Sequence, residues 1–189
     1  MEILTIQNKS ILKDLEKGKV AYPCDVQIIN DHLTDKFLPS YEWMVKKMYQ
    51  EGVTNSKTLY PFWGWAIFDY SKKLDDIPVD LWKIYSGYSN NKVIIKMDIP
   101  DNEVLLSDYN MWHCVLNNIY CNDMTTEKAY DELDEVYEKL PPNYKYFEMV
   151  SSWDNIFNIE EFRNEFCEVG RYVQATFWEI DPKNIIYIK

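Results

Sequence analysis

The sequence predicts an α+β fold: one domain with a mostly antiparallel sheet and helices packed against it. Three observations carry that expectation. Segments with period-two alternation recur at 2–7, 60–68, 92–99 and 172–180. Between them lie segments whose apolar residues fall at helical spacing. At 189 residues, with no internal repeat, low-complexity tract or linker, the chain has the length of one ordinary domain, 1–189.

Taken in order, Glu2–Gln7 alternates about Thr5 and reads as an opening strand. Ser10 is placed to cap a short helix carrying Ile11, Leu12 and Leu15, and Gly18 to end it. Lys19–Tyr22 reads as a second short strand stopped by Pro23, and 25–37 fits no single pattern. From Pro39-Ser40 a helix follows, with Tyr41, Met44, Val45 and Met48 at i, i+3, i+4 and i+7 and Gly52 at its end. A polar loop spans 53–58. Strict alternation in the aromatic strand 60–68 puts Phe62, Gly64, Ala66 and Phe68 on one side and Trp63, Trp65 and Ile67 on the other. Gly64 removes a side chain where a neighbouring strand, a ring or a ligand approaches. Pro78 opens a possible short helix over 79–84. In the strand Lys92–Ile99, Val93, Ile95, Met97 and Ile99 oppose Lys96 and Asp98, and Pro100-Asp101-Asn102 is a turn.

Val104–Asn117 changes period midway. A strand end at Val104–Leu106 passes through Ser107 or Asp108, either able to cap, into a helix whose face is Met111, Trp112, Val115, Leu116 and Ile119. Thr125 or Thr126 caps a further helix with Ala129, Leu133, Val136, Tyr137 and Leu140 on one face, ended by Pro141-Pro142. The stretch 144–157 is aromatic and irregular, and 159–168 reads as a helix. A strand over 172–180 sets Gln174 and Thr176 against Val173, Ala175 and Phe177. It forms a hairpin candidate with Ile185–Ile188 across the turn Asp181–Asn184.

Composition narrows the function. The net charge is −11, and of it −8 lies between Glu127 and Glu168, where 12 acidic residues face 4 basic ones. Phosphate neutralisation needs a positive footprint, so bulk nucleic acid is not an expected partner, while the composition still allows a small nucleotide held by a few contacts. The acidic run is either a solvated face or a surface for a basic partner. No apolar run approaches the ~18 residues of a membrane span, and the N-terminus has no signal-peptide pattern. Cys24, Cys114, Cys121 and Cys167 show no paired spacing, so free thiols in a reducing cytoplasm are expected. The 7 Trp, 15 Tyr and 8 Phe either build a ring-rich core or partly line a pocket.

No Gly-rich phosphate cradle, His-Glu-x-x-His or Gly-x-Ser-x-Gly occurs, and the histidines are His32 and His113 alone, so no metal centre is expected. The cofactor is left unassigned. What chemistry there is gathers at Ser107, Asp108, His113 and Asn117. His113 shares a helical face with Tyr109 and Asn117. A catalytic reading makes His113 a general base oriented by Asp108, with a negative ligand at the free N–H groups of the helix start. The structural alternative makes Asp108 or Ser107 a cap and His113 a hydrogen-bonded helix residue. Gln174, mid-strand among apolar residues, is either exposed, pinning a loop, or reading a ligand, since an unpartnered buried amide costs ~1–3 kcal/mol.

Several of these residues sit in a series of separated motifs. They are Thr5-Ile6-Gln7 followed by Gly18, Tyr41-x-Trp43-Met44 and Tyr60-Pro61-x-Trp63-x-Trp65. Further on come Leu106-Ser107-Asp108-Tyr109-x-x-Trp112-His113-x-x-Leu116-Asn117, Trp153-x-x-Ile156-Phe157 and Gln174-Ala175-x-x-Trp178. The series resembles the bacterial domain of unknown function 3841 along nearly the whole chain, and the resemblance carries over no reaction. Three functional expectations stand. The first is a small-molecule or nucleotide-binding domain whose aromatic-lined pocket uses Trp63, Trp65, Ser107, Asn117 and Gln174 beside His113. The second is an enzyme on an ADP-ribosyltransferase-like scaffold, although no Arg…Ser-Thr-Ser…Glu-x-Glu series is found. The third is an acidic protein-interaction module in a stress or phage-defence setting.

Overall fold

Six strands form one antiparallel sheet in the computed structural model, which describes residues 1–25, 36–54, 57–78, 80–81 and 89–189. The strands are β1 (Glu2–Asn8), β2 (Phe62–Phe68), β3 (Lys92–Asp98), β4 (Leu105–Asp108), β7 (Tyr172–Phe177) and β8 (Ile185–Ile188). Their order is β4-β7-β2-β1-β3-β8. A separate two-stranded ribbon pairs β5 (Phe162–Arg163) with β6 (Glu168–Val169). The helices are α1 (Leu12–Leu15), α2 (Leu38–Gln50), α3 (Tyr109–Asn117), α4 (Glu127–Glu138) and α5 (Pro142–Ser152), the last followed by a 3₁₀ turn over Trp153–Phe157. The α+β class and the antiparallel sheet are as the alternation predicts.

Period two sorts the sheet into two packed faces. Ile3, Phe62, Val93, Ile95, Met97, Val173, Ala175 and Phe177 point to one side, where Leu15 and Ala21 join them. On the other side Trp63 and Leu105 pack with Met44 of α2, Trp112 and Val115 of α3, Met149 of α5, and Trp153 and Ile156. The sheet is therefore sandwiched. α2 buries Met44 and Met48 completely, as the i, i+4 spacing requires, and stops where Gly52 takes φ +81°.

Several local expectations are corrected. Lys19–Tyr22 contributes only the bridge Ala21↔Ile180. In β2 a bulge between Trp65 and Ile67 breaks the alternation, so Ile67 joins Phe62 and Ala66 while Phe68 joins Trp65. The stretch 144–157 is helical, because Lys145, Met149 and Ser152 recur at i, i+4 and i+7 as its inward face, and Pro142 suits a first helical turn. The segment 159–168 is the β5–β6 ribbon instead of a helix; Asn164 Oδ1 accepts from the Phe166 and Cys167 N–H groups and makes the turn. β8 pairs with β3, and β7 lies four strands away, so the expected hairpin does not form. α3 ends at Asn118 (φ +54°), which leaves Ile119 exposed instead of on the helical face. The expected helix over 79–84 and the ambiguous segment 25–37 lie largely outside the described residues.

Candidate functional site

The bulge at Trp65 leaves a continuous row of cross-strand neighbours. Ser107 of β4 faces Gln174 of β7, Gln174 faces Trp65 of β2, and Trp65 faces Leu4 of β1. All four therefore point to the same face, the one that α3 covers. Trp63, two residues before Trp65, shares that face. Above it the Trp112 ring lies 5.1 Å from Trp63, Tyr109 lies 5.1 Å from Trp65, and Tyr41 sits edge-on to both Trp63 (5.7 Å) and Trp112 (5.8 Å).

Three polar atoms within this aromatic layer are buried with no hydrogen-bond partner among the described residues: Ser107 Oγ, Gln174 Oε1 and Trp63 Nε1. Ser107 is fully buried, whereas Gln174 and Trp63 each retain partial exposure, so solvent reaches part of both side chains. Outside the layer Tyr70 Oη also lacks a hydrogen-bond partner among the described residues, whereas other buried polar groups are satisfied. Ser40 Oγ donates to the Val115 carbonyl at 2.8 Å, and Trp178 Nε1 donates to the Val53 carbonyl at 2.8 Å. Thr5 Oγ1 donates to the Trp63 carbonyl at 2.6 Å and accepts from Gln7 Nε2 at 2.7 Å.

The pair with catalytic potential does not assemble. Asp108 is the N-cap of α3: its Oδ1 accepts from the Asn110 N–H at 2.8 Å and the Met111 N–H at 3.0 Å. Its Oδ2 accepts from the Gly170 N–H at 3.0 Å, which ties β4 to the turn entering β7. Burial pushes its carboxyl up, against the three N–H groups that stabilise the anion. The free N–H groups that would have favoured a negative ligand are thus occupied by the chain's own carboxylate. His113 is exposed on the outer side of α3, where its Nδ1–H donates to the Tyr109 carbonyl at 2.9 Å. Asn117, also exposed, donates from Nδ2 to the His113 carbonyl at 2.8 Å. Tyr109, His113 and Asn117 do share a face as their spacing requires, but His113 and Asn117 turn away from the sheet.

Beside Asp108 a cavity of about 700 Å³ opens between the start of α3 and the β5–β6 ribbon, bordered by Asn122, Tyr130, Asn164 and Glu168. Two of its amides are committed: Asn122 Nδ2 donates to the Tyr130 carbonyl and Asn164 Nδ2 to the Thr125 carbonyl. Among the described residues no group of His, Cys, Asp and Glu is arranged to hold a metal ion.

The structure thus brings together Trp63, Trp65, Ser107 and Gln174 and leaves His113, Asp108 and Asn117 in capping and surface roles. Tyr41 and Trp112 complete the layer. Tyr41 stands in the sequence as an apolar helix position and in the Tyr41-x-Trp43-Met44 motif, but nothing in spacing says which α2 residue meets β2.

Fold and site together define an α+β domain with an antiparallel sheet and an aromatic layer over a buried polar pair. The model for the Domain of unknown function (DUF3841) matches residues 2–186, and the chain belongs to that family. No curated protein and no solved structure matches it significantly. Several motif residues have structural explanations: Thr5 and Gln7 brace the Trp63 carbonyl, Trp43 stacks on Phe157, and Trp153 Nε1 donates to the Ile119 carbonyl. Among the described residues no helix is long and apolar enough to cross a membrane.

Proposed function

We propose that the layer formed by Trp63, Trp65, Ser107 and Gln174 binds a small planar molecule with both a hydrogen-bond donor and an acceptor on its edge, such as a nucleobase or a similar heteroaromatic metabolite. The observation that carries this is the set of unpartnered polar atoms. Natural interiors satisfy nearly all buried polar atoms, and each exception asks for an explanation. Here three exceptions fall on neighbouring side chains surrounded by aromatic rings, the composition of a small-molecule site. Gln174 Oε1 accepts, Trp63 Nε1 donates, and Ser107 Oγ does either. The surrounding aromatic rings, Trp112 against Trp63 and Tyr109 against Trp65, favour a flat ligand.

The base rather than the phosphates of a nucleotide is the group recognised. Arg171 is paired with Glu168 and Asp69, Lys96 with Asp75 and Glu2, and Asp108 fills the start of α3. Binding, not catalysis, is the reading, because Asp108 spends its carboxylate on three backbone N–H groups instead of orienting His113, which lies exposed on the outer side of α3.

A thermal-shift screen of nucleobases, nucleosides, nucleotides and common metabolites tests it, on wild type and on Trp63→Phe, Ser107→Ala and Gln174→Leu. A ligand at 100-fold its dissociation constant adds ~2.7 kcal/mol of stability. The expected result is a planar hit that the folded variants lose. A hit bound equally by all three variants, or no hit from any planar compound, would sink the proposal.

A further inference from the structure

We infer that the α4–α5 hairpin is a docking surface for a basic segment of a partner protein, one that carries Arg or Lys together with apolar side chains. On α5, with Lys145, Met149 and Ser152 turned inward, Tyr144, Tyr146 and Phe147 are 59 %, 68 % and 67 % exposed. At ~150–250 Å² per ring, about two-thirds exposure of the neighbours Tyr144 and Phe147 leaves roughly 200–330 Å² of aromatic surface on one side, with Tyr146 further round the helix. That approaches the size of the largest apolar patch on a typical monomer, and such patches are often functional. Tyr144 and Phe147 are i, i+3 neighbours and form its centre.

The preceding helix supplies the charge. Between Glu127 and Lys139 stand six acidic residues and two lysines, all exposed. Both lysines are paired within the helix, Lys128 with Glu132 at 3.7 Å and Lys139 with Glu135 at 3.1 Å. α4 buries no residue at all. It is nevertheless held in place: Tyr137 stacks on Tyr120 at 4.4 Å, and Lys145 of α5 pairs with Glu138 while lying over the Tyr137 ring. Two anchored helices thus present exposed rings beside exposed carboxylates.

Charge complementarity selects the occupant. A nucleic acid or an anionic membrane is repelled by this surface, and a second copy of the chain, docked face to face, would set the same acids against each other. A basic segment meets carboxylates on α4 and ring faces on α5, where guanidinium groups stack favourably.

The test uses the full chain and two amphipathic helical probe peptides with one leucine pattern, one bearing Arg and Lys on its polar face and the other Glu. Fluorescence anisotropy should show the basic peptide bound at least about tenfold more tightly, with affinity falling as salt rises. Tyr144→Ser with Phe147→Ser, and separately Glu127→Gln with Asp131→Asn, should each weaken it about tenfold or more while the melting temperature holds. Equal binding of the two peptides would overturn the inference, as would full binding by the Tyr144/Phe147 variant. So would sedimentation showing a dimer that this variant abolishes, since the occupant would then be a second copy.

Discussion

Ser40 and Ser107 are both fully buried, yet replacing each by alanine should change stability in opposite directions. Ser40 Oγ donates to the Val115 carbonyl, linking α2 to α3. Removing it loses one buried hydrogen bond, which costs ~0.5–1.5 kcal/mol because the Val115 carbonyl still accepts from the Asn118 N–H at 3.3 Å, offset by less than ~0.7 kcal/mol of helix propensity. Ser107 Oγ has no partner among the described residues, so no protein group replaces the hydration it loses on folding. That burial carries a penalty of ~1–3 kcal/mol, and Ser107→Ala abolishes it at the expense of a void smaller than a methyl group. The net expectation is a gain of about 1–2 kcal/mol for Ser107→Ala. At this chain length about 1 kcal/mol moves the melting temperature by ~2–4 °C, so a rise of roughly 2–8 °C is expected, against a smaller fall for Ser40→Ala. Urea denaturation of wild type and both variants reads the sign directly, provided the m-values agree. If Ser107→Ala loses stability as Ser40→Ala does, the hydroxyl is bonded in the native state and the argument for an unsatisfied site fails. A variant that gains stability while losing a ligand identified by the screen would show the exchange of stability for function that binding sites make.

Three further expectations test the frame around the site. A Cβ at Gly64 would lie 2.8 Å from Ile3 Cγ2 and 3.0 Å from the Leu4 carbonyl oxygen, so Gly64→Ala should cost ~1–3 kcal/mol by forcing β1 and β2 apart, measured by chemical denaturation. Asn118 holds φ +54° at the end of α3 and is exposed, so Asn118→Gly should match or slightly raise the melting temperature, whereas Asn118→Ala should lose ~1 kcal/mol. Burial and the hydrogen bond to Asp75 push the Tyr187 hydroxyl from 10.0 up to about 12. A folded value above the unfolded one means that the contribution is whole below pH 10.0 and is lost as pH climbs toward about 12; Tyr187→Phe should flatten that part of the stability curve relative to wild type, and an unchanged slope would refute the assignment.

The sequence was most readable where one period dominated. β1, β3 and α2 follow their apolar spacing because each has one face against the core, and Gly18 and Gly52 take the positive φ their placement after helices suggested. Reading failed where tertiary context chose between equal local options. Aromatic residues at 144–157 suit strand and helix alike, and only packing of Met149, Trp153 and Ile156 under α3 decides for helix. Pairing partners were not legible either: Ile185–Ile188 alternates as a strand anywhere, and β8 reaches β3 because β7 is already flanked by β4 and β2. For the site, alternation correctly set Trp63 and Trp65 on one side, and Gln174 stood out as an amide among apolar neighbours. His113 misled because helical spacing shows which residues share a face but not which way that face turns.

The row containing Ser107 and Gln174 continues beyond Leu4 to Lys96 of β3 and Tyr187 of β8, so one line of cross-strand neighbours has polar residues at both ends. At the β8 end every polar group is matched. Lys96, 6 % exposed, pairs with Glu2 and Asp75, and the Tyr187 hydroxyl donates to Asp75. At the β4 end a fully buried serine and a partly exposed glutamine lie side by side with unpartnered oxygens. Both ends belong to the same sheet face of the same chain, so the difference does not come from the fold's inability to supply partners. A leucine at position 174 and an alanine at 107 would have removed the cost with no change of backbone. Each such unpartnered polar atom asks for an explanation, and the proposed binding function therefore rests on β4 and β7 instead of on the helix carrying His113.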